Sequence, residues 1–213
     1  MIVGAGGFAK EVAWIALQQA ERWRVRGFLD DNPELKDRKL LGMPVLGAVA
    51  SFKAHDDAKF VIATGAPRAR CYVRQAMGAL PDARFATLID IGARYHESVR
   101  FGAGAIVCAG VLATVEISIG VHVIVNLNAT IGHECRIGDF CTIAPLAAIS
   151  GNVTCEDGVE IGTGAAIRQG IRIARGALVG MSAVVTRDVA ANACVVGNPA
   201  HLLHQLPPFE AAR

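Results

Sequence analysis

The chain has 213 residues, a formal charge of +2 and 53% apolar residues, enough for one medium domain or two small ones. It carries neither a basic stripe for nucleic acid nor an acidic tail. The charge-free stretches 101–115 and 117–132 are punctuated by glycines in a repeating pattern, so a membrane span is not expected. No charged segment followed by an apolar run precedes the first motif, so no export signal is expected either. Cysteines stand at 71, 108, 135, 141, 155 and 194 with no C-x-x-C pair; Cys135, Cys141 and Cys155 take repeat positions for small apolar residues and read as buried thiols, and a reducing cytoplasm is expected.

The first residues, 1–3, read as a short strand. Gly4-Ala5-Gly6-Gly7-Phe8-Ala9 follows, and a helix is expected over 10–19. This is a G-x-G-x-x-A turn between strand and helix. Its glycines let backbone approach a pyrophosphate, and the helix start offers free N–H groups to an anion. A second strand is expected over 25–29. Asp30-Asp31-Asn32-Pro33 comes directly after it, at the distance where an acidic residue holds a ribose hydroxyl or simply makes a polar turn. A third strand over 59–64 ends in Gly65-Ala66-Pro67, a helix is expected over 68–77, and a fourth strand over 85–89. Alternating strands and helices imply a small parallel α/β sheet, a Rossmann-like half-domain. Half of a dinucleotide fold suits one mononucleotide, hence a nucleotide sugar rather than a dinucleotide.

From Phe101 the period changes to six. Positions 101, 107, 113 and so on to 185 are Ile or Val in twelve of fifteen cases. Four residues after each stands another small or branched apolar residue, and glycine follows the first position at 102, 120, 132, 138, 162 and 180. Six fits neither a helix nor a flat strand; it fits a three-sided coil that returns the same side chain to the same corner. Coils over roughly 95–190 would stack around a narrow core, with the glycines supplying backbone freedom at tight corners. The tail after Cys194-Val195-Val196-Gly197-Asn198-Pro199-Ala200 would be a short helix or disordered.

Packing explains most of these residues but not His133 and Glu134. They take the third and fourth places of the repeat beginning at Ile131, where side chains can face outward. A neutral imidazole can take a proton from an amine or hydroxyl, and an adjacent carboxylate can orient it. Asn126 and Asn128 could hydrogen-bond nearby.

The run from Asn126 through His133-Glu134 to Pro145, with Ser150-Gly151-Asn152-Val153, the opening 2–10, the segment Gly27 to Pro33 and the ending Val196 to Ala200 together resemble one family. That family is the hexapeptide-repeat sugar acyltransferases related to sialic acid O-acetyltransferases and UDP-4-amino-sugar N-acetyltransferases (NeuD/PglD-like). The resemblance spans residues 1 to about 203. It implies a Rossmann-like nucleotide-sugar-binding domain (1–88), a left-handed parallel β-helix (89–195) and a C-terminal tail (196–213). It implies transfer of an acyl group from acetyl-CoA, without a metal, to the amine of a nucleotide-linked amino sugar, or to a hydroxyl of sialic acid or another glycan. By matched position His133 would be the general base beside Glu134, and Gly151 the oxyanion donor. Acyl-CoA would touch Thr142, Thr163, Gly180, Met181, Ser182 and Pro199. The acceptor would sit on Gly4, Gly6, Gly7, Phe8, Asp30, Asp31, Gly65 and Asn126. A homotrimer with sites shared between subunits is implied.

Four departures stand out. Phe8 occupies a usual His, Thr142 a common second His, Asp90-Ile91 a common His-Pro, and Ala66-Pro67 a polar pair. Two other classes share parts of this pattern. A γ-type carbonic anhydrase needs three converging histidines, and the solenoid offers only His122 and His133, with His96 at its edge. A non-catalytic nucleotide-sugar scaffold would not need an intact His133-Glu134 pair.

Overall fold

The computed structural model describes residues 1–210. Near the N-terminus, β1 (Ile2–Val3), β2 (Phe28–Leu29), β3 (Lys39–Leu40), β4 (Met43–Gly47) and β5 (Val61–Ile62) form one sheet in the order β3-β4-β2-β1-β5. All its pairings are parallel except the β3–β4 hairpin. Helix α1 (Gly7–Leu17) buries Ala9, Val12, Ala13 and Ala16, a single helical stripe, against Ile2, Phe28 and Val61. Val49, Phe52, Met77 and Phe85 close the opposite face of the sheet. Helix α2 (Pro67–Ala76) follows β5.

From Leu88 onward the chain returns to the same face every 18 residues, as in Leu88↔Ile106 and Ile106↔Ile124. Three faces of two-residue strands, paired in parallel throughout, make a left-handed parallel β-helix. The first face holds Leu88–Ile89, Ile106–Val107, Ile124–Val125, Thr142–Ile143, Glu160–Ile161 and Leu178–Val179, then Ala193–Val196. The second runs from Arg94–Tyr95 through Thr130–Ile131 and Ala148–Ile149 to Val184–Val185. The third runs from Arg100–Phe101 through Arg136–Ile137 to Arg172–Ile173. Every position of the six-residue register from Val107 to Val185, and every second apolar position from Ala105 to Val189, is buried in one continuous core. Cys135, Cys141 and Cys155 lie in it as thiols, and burial pushes Cys141 up to about 12.

The glycines that follow the register residues serve another purpose than corner freedom. Left-handed backbone (φ near +60°) falls two residues later, at His122, Glu134, Phe140 and Ser182 among others. At Gly132 a Cβ would lie 2.6 Å from the amide nitrogen of Gly151 in the next coil. At Gly138 it would lie 2.7 Å from that of Asp157. These glycines are required because successive coils stack backbone on backbone.

The N-terminal sheet lies on the first face of the β-helix. Leu88, Ile106 and Ile124 point outward from that face into the core shared with β1, β2 and α1. Several expected boundaries therefore move. The fourth strand expected over 85–89 does not join the first sheet: Phe85 makes only a bridge to Phe60, and Leu88–Ile89 opens the β-helix, where the Leu88 amide donates to the Ala105 carbonyl at 2.9 Å. The second strand shrinks to Phe28–Leu29 because Gly27 (φ 152°) packs against Pro44 of a hairpin that the sequence reading did not contain. The tail expected to be helical or disordered instead pairs as an antiparallel strand, His201–Gln205, with Ala193–Val196. Beyond it Phe209 is buried between the β-helix and α2, its ring filling space above Gly158 that a Cβ would occupy. Arg68 stacks on Phe209 and donates to the Pro208 carbonyl at 3.0 Å, tying the tail to the start of α2.

Candidate active site

The strongest chemical constellation lies at the corner between the second and third faces. His133 and Glu134 follow Gly132 out of the strand Thr130–Ile131. Glu134 takes the left-handed corner conformation (φ 60°), which turns its carboxylate beside the imidazole. Glu134 Oε2 lies 2.9 Å from His133 Nδ1, and both side chains are about half exposed. An ionised carboxylate can only accept, so this bond places the Nδ1 proton and leaves Nε2 as the basic nitrogen.

One coil further on, 18 residues away, stands Gly151. A Cβ there would lie 2.5 Å from His133 Cε1 and 2.9 Å from Cδ2, so the imidazole occupies the space that glycine leaves open. The Gly151 amide donates to no protein acceptor among the described residues. At the corner between the third and first faces the contrast is plain: Asp139 Oδ1 accepts from Val121 N, and Asp157 Oδ1 from Asp139 N. A basic nitrogen and an unspent backbone N–H thus meet on one edge of the β-helix, as acyl transfer requires.

Thr163, Gly180, Met181 and Ser182 lie at the corner between the first and second faces, where the Ser182 amide donates to the Thr163 carbonyl at 2.9 Å. Met181 is 76% exposed. Pro199 sits just beyond, after a cis peptide bond. Between this corner and His133 runs the second face, with Thr130, Ala148 and Ala166 pointing outward. Asn126 is at the same corner as Thr163, and its Oδ1 accepts from the amide of Leu127.

The acceptor candidates form a second group. Gly4 (φ 103°) ends β1, which lies between β2 and β5, the point where the strand order reverses. Gly6 caps α1 without a side-chain bond, and no acidic residue sits in the first turn, so among the described residues no side chain claims the N–H groups of that turn. Gly7 opens the helix, and Phe8 packs partly buried against the sheet core. Asp30 ties the loop together: Oδ2 accepts from Ala5 N at 2.7 Å and Oδ1 from Asn32 N at 2.8 Å. Asp31 accepts from Val49 N. Gly65 is exposed, and its carbonyl is bound from below.

That support is Thr142, which the structure places on the first face rather than beside His133. Its hydroxyl donates to the Gly65 carbonyl at 2.6 Å and accepts from Arg70. Arg70 is a residue the sequence reading passed over. The one signal was its spacing: with Pro67 and Cys71 it falls on the stripe that α2 buries. Asp90, another departure, caps the turn at Gly92 and accepts from the side chain of Gln18, the residue that ends α1.

Among the described residues no group of three or more His, Cys, Asp or Glu is arranged to hold a metal. His122 is buried at a different corner from His133, stacked on Phe140 and edge-on to Phe85. Neither of its ring nitrogens has a partner among the described residues. Burial, reinforced by Arg74 and Arg70, lowers its pKa to about 3. In the unfolded chain His122 takes a proton near pH 6.5, so between about 6.5 and 3 the unfolded state binds the extra proton and stability falls as pH drops. The cost is up to about 1.4 kcal/mol per pH unit. Urea unfolding of His122→Phe at pH 7 and pH 4.5 should therefore show a smaller acid-induced loss than the wild type, by about 2 kcal/mol.

The PglD N-terminal domain family model matches residues 1–76. No curated protein sequence matches the chain. Solved structures do. WeeI from Acinetobacter baumannii AYE is 34% identical over 95% of this chain and 98% of its own, with a TM-score of 0.84. The acetyltransferase domain of PglB from Neisseria gonorrhoeae FA1090, in complex with acetyl coenzyme A, is 30% identical over 95% and 97%, TM-score 0.85. A histidine-to-asparagine variant of perosamine N-acetyltransferase from Caulobacter crescentus, in complex with CoA and GDP-perosamine, is 28% identical over 96% of each chain, TM-score 0.84.

Proposed function

This chain belongs to the NeuD/PglD-like sugar acetyltransferases, and from that premise we propose that it moves an acetyl group from acetyl-CoA to the amine of a nucleotide-linked amino sugar, with His133 as general base. The observation that carries the mechanism is the meeting of His133 Nε2 with the open space and free amide of Gly151. Nε2 takes a proton from the amino group as its nitrogen attacks the thioester carbonyl. The carbonyl oxygen gains charge beside the Gly151 N–H, and collapse of the tetrahedral intermediate expels CoA thiolate. Glu134, bonded to Nδ1, stabilises the imidazolium formed in between.

Acetyl-CoA is assigned to the second face. Thr130, Ala148 and Ala166 give it a floor of small side chains, between Thr163 and Gly180–Ser182 on one edge and His133 with Gly151 on the other. The acceptor nucleotide is assigned to Gly4, Gly6, Gly7, Asp30, Asp31 and Gly65. We propose a division of labour with 1–88 holding the acceptor and 89–195 the chemistry. We propose a homotrimer, a reading that the topology supports. The N-terminal sheet covers the first face, and His133 lies on the edge opposite that face. One chain cannot bring both to the same sugar, whereas a neighbouring copy can supply the missing half.

The test is CoA release, followed with a thiol reagent, from acetyl-CoA against GDP- and UDP-linked 4-amino sugars, sialic acid and a blank without acceptor. Release with an amino sugar supports the reading and names the nucleotide. Release only with sialic acid moves the target to a hydroxyl. No release with any acceptor, from protein that binds a nucleotide sugar, turns the reading to a scaffold.

A further inference from the structure

We infer that Arg70, working through Thr142, is the positioning residue that locks the acceptor loop at Gly65 to the catalytic β-helix; the inference rests on the acceptor assignment above. Arg70 is 1% exposed and its guanidinium is spent entirely on neutral oxygens. Nε donates to the His122 carbonyl at 2.8 Å, and Nη2 to the carbonyls of Phe140 and Cys141 at 2.7 and 3.0 Å and to Thr142 Oγ1 at 2.9 Å. These four acceptors belong to two successive coils of the β-helix. Nη1 turns the other way and donates to the carbonyls of Thr64 and Gly65, both at 2.7 Å. Thr142 completes the bracket with its own bond to Gly65.

A buried cation with no hydrogen-bonded carboxylate is a costly way to join two layers, and an apolar side chain of similar volume would pack them at least as well. What the guanidinium adds is direction: its planar fork fixes two loop carbonyls against four oxygens of a rigid solenoid. The glycine turn lies against the same loop: a Cβ on Gly4 would sit 3.2 Å from the Ala63 carbonyl and 3.6 Å from Thr64 Oγ1. The path from coil to acceptor is therefore continuous: His122 and Phe140–Thr142, Arg70, Thr64–Gly65, Gly4. The arrangement also accounts for Thr142 on the first face. A threonine can donate to Gly65 while accepting from Arg70 with one small hydroxyl.

A residue that only holds the protein together would lower stability and affect both substrates alike. A positioning residue for the acceptor loop should act on one. Arg70→Met, Arg70→Lys and Thr142→Val are compared with wild type in steady-state CoA release, varying the active nucleotide amino sugar and acetyl-CoA separately, with circular dichroism as the check on folding. The expected result for Arg70→Met is a KM for the nucleotide sugar raised at least about tenfold, with KM for acetyl-CoA within about twofold of wild type. Thr142→Val, near-isosteric and able to fold should Arg70→Met fail to, is expected to raise the same KM about three- to tenfold. Arg70→Lys should recover only part of the loss, because three donors on one nitrogen cannot span both sides. An unchanged acceptor KM in Thr142→Val, or equal increases in both KM values, overturns the inference while leaving the acceptor site standing. Wild type that binds no nucleotide sugar overturns the acceptor assignment and the inference with it.

Discussion

His133→Ala is expected to lower kcat for acceptor-dependent CoA release by about 10²–10⁴-fold, the usual worth of a positioned general base. KM for acetyl-CoA should stay within about threefold, because the imidazole stands at one end of the second face and the Thr163 and Gly180–Ser182 corner at the other. Stability should hardly move, since the side chain is half exposed and among the described residues its one side-chain hydrogen bond is to Glu134. Glu134→Gln should fall between the two proteins, at about tenfold to a hundredfold in kcat. A glutamine can still accept from Nδ1–H but brings no charge to the imidazolium. The measurement is single-turnover acetyl transfer with both substrates saturating, which separates the chemical step from binding. A His133→Ala enzyme within threefold of wild type there would remove His133 as base.

The solenoid was readable because its core depends on one local property repeated without slip. Each β-branched residue of the register meets its copy one coil away, and no long-range contact is needed to predict where it points. His133 was readable for the complementary reason, as a polar pair that the repeat does not require. The misread segments are those where distant contacts decide. Residues 85–89 have strand character, and only the neighbouring coil at Ala105–Val107 determines which sheet receives Leu88–Ile89. Residues 201–205 carry no period of their own and become a strand by pairing with Ala193–Val196. Arg70 was invisible for the same reason: its six oxygen partners are all but two contributed by residues more than 50 positions away. The glycine pattern was visible but its cause was not. Spacing shows that glycine recurs, whereas the backbone of the next coil, close enough to exclude a methyl, shows why.

That difference between glycines yields the second large effect. Gly151→Ala is expected to lower kcat by about a hundredfold, close to the loss in His133→Ala, while the protein keeps nearly its full stability. The atoms nearest the added methyl all belong to the imidazole of His133, whose Nε2 and Cε1 positions it overlaps. That ring ends a half-exposed side chain that can rotate into solvent at little cost, so the fold tolerates the change while the base leaves its place. Gly132→Ala is the control, since its methyl would meet the backbone of Ser150 and Gly151 at 2.8 Å or closer, and neither can step aside. It should lose stability along with activity. Thermal unfolding and single-turnover transfer on both variants separate the outcomes. If Gly151→Ala is fully active, His133 performs no chemistry at the position it now occupies. If Gly151→Ala unfolds as early as Gly132→Ala, the space over Gly151 belongs to the stacking of the coils and not to the catalytic base.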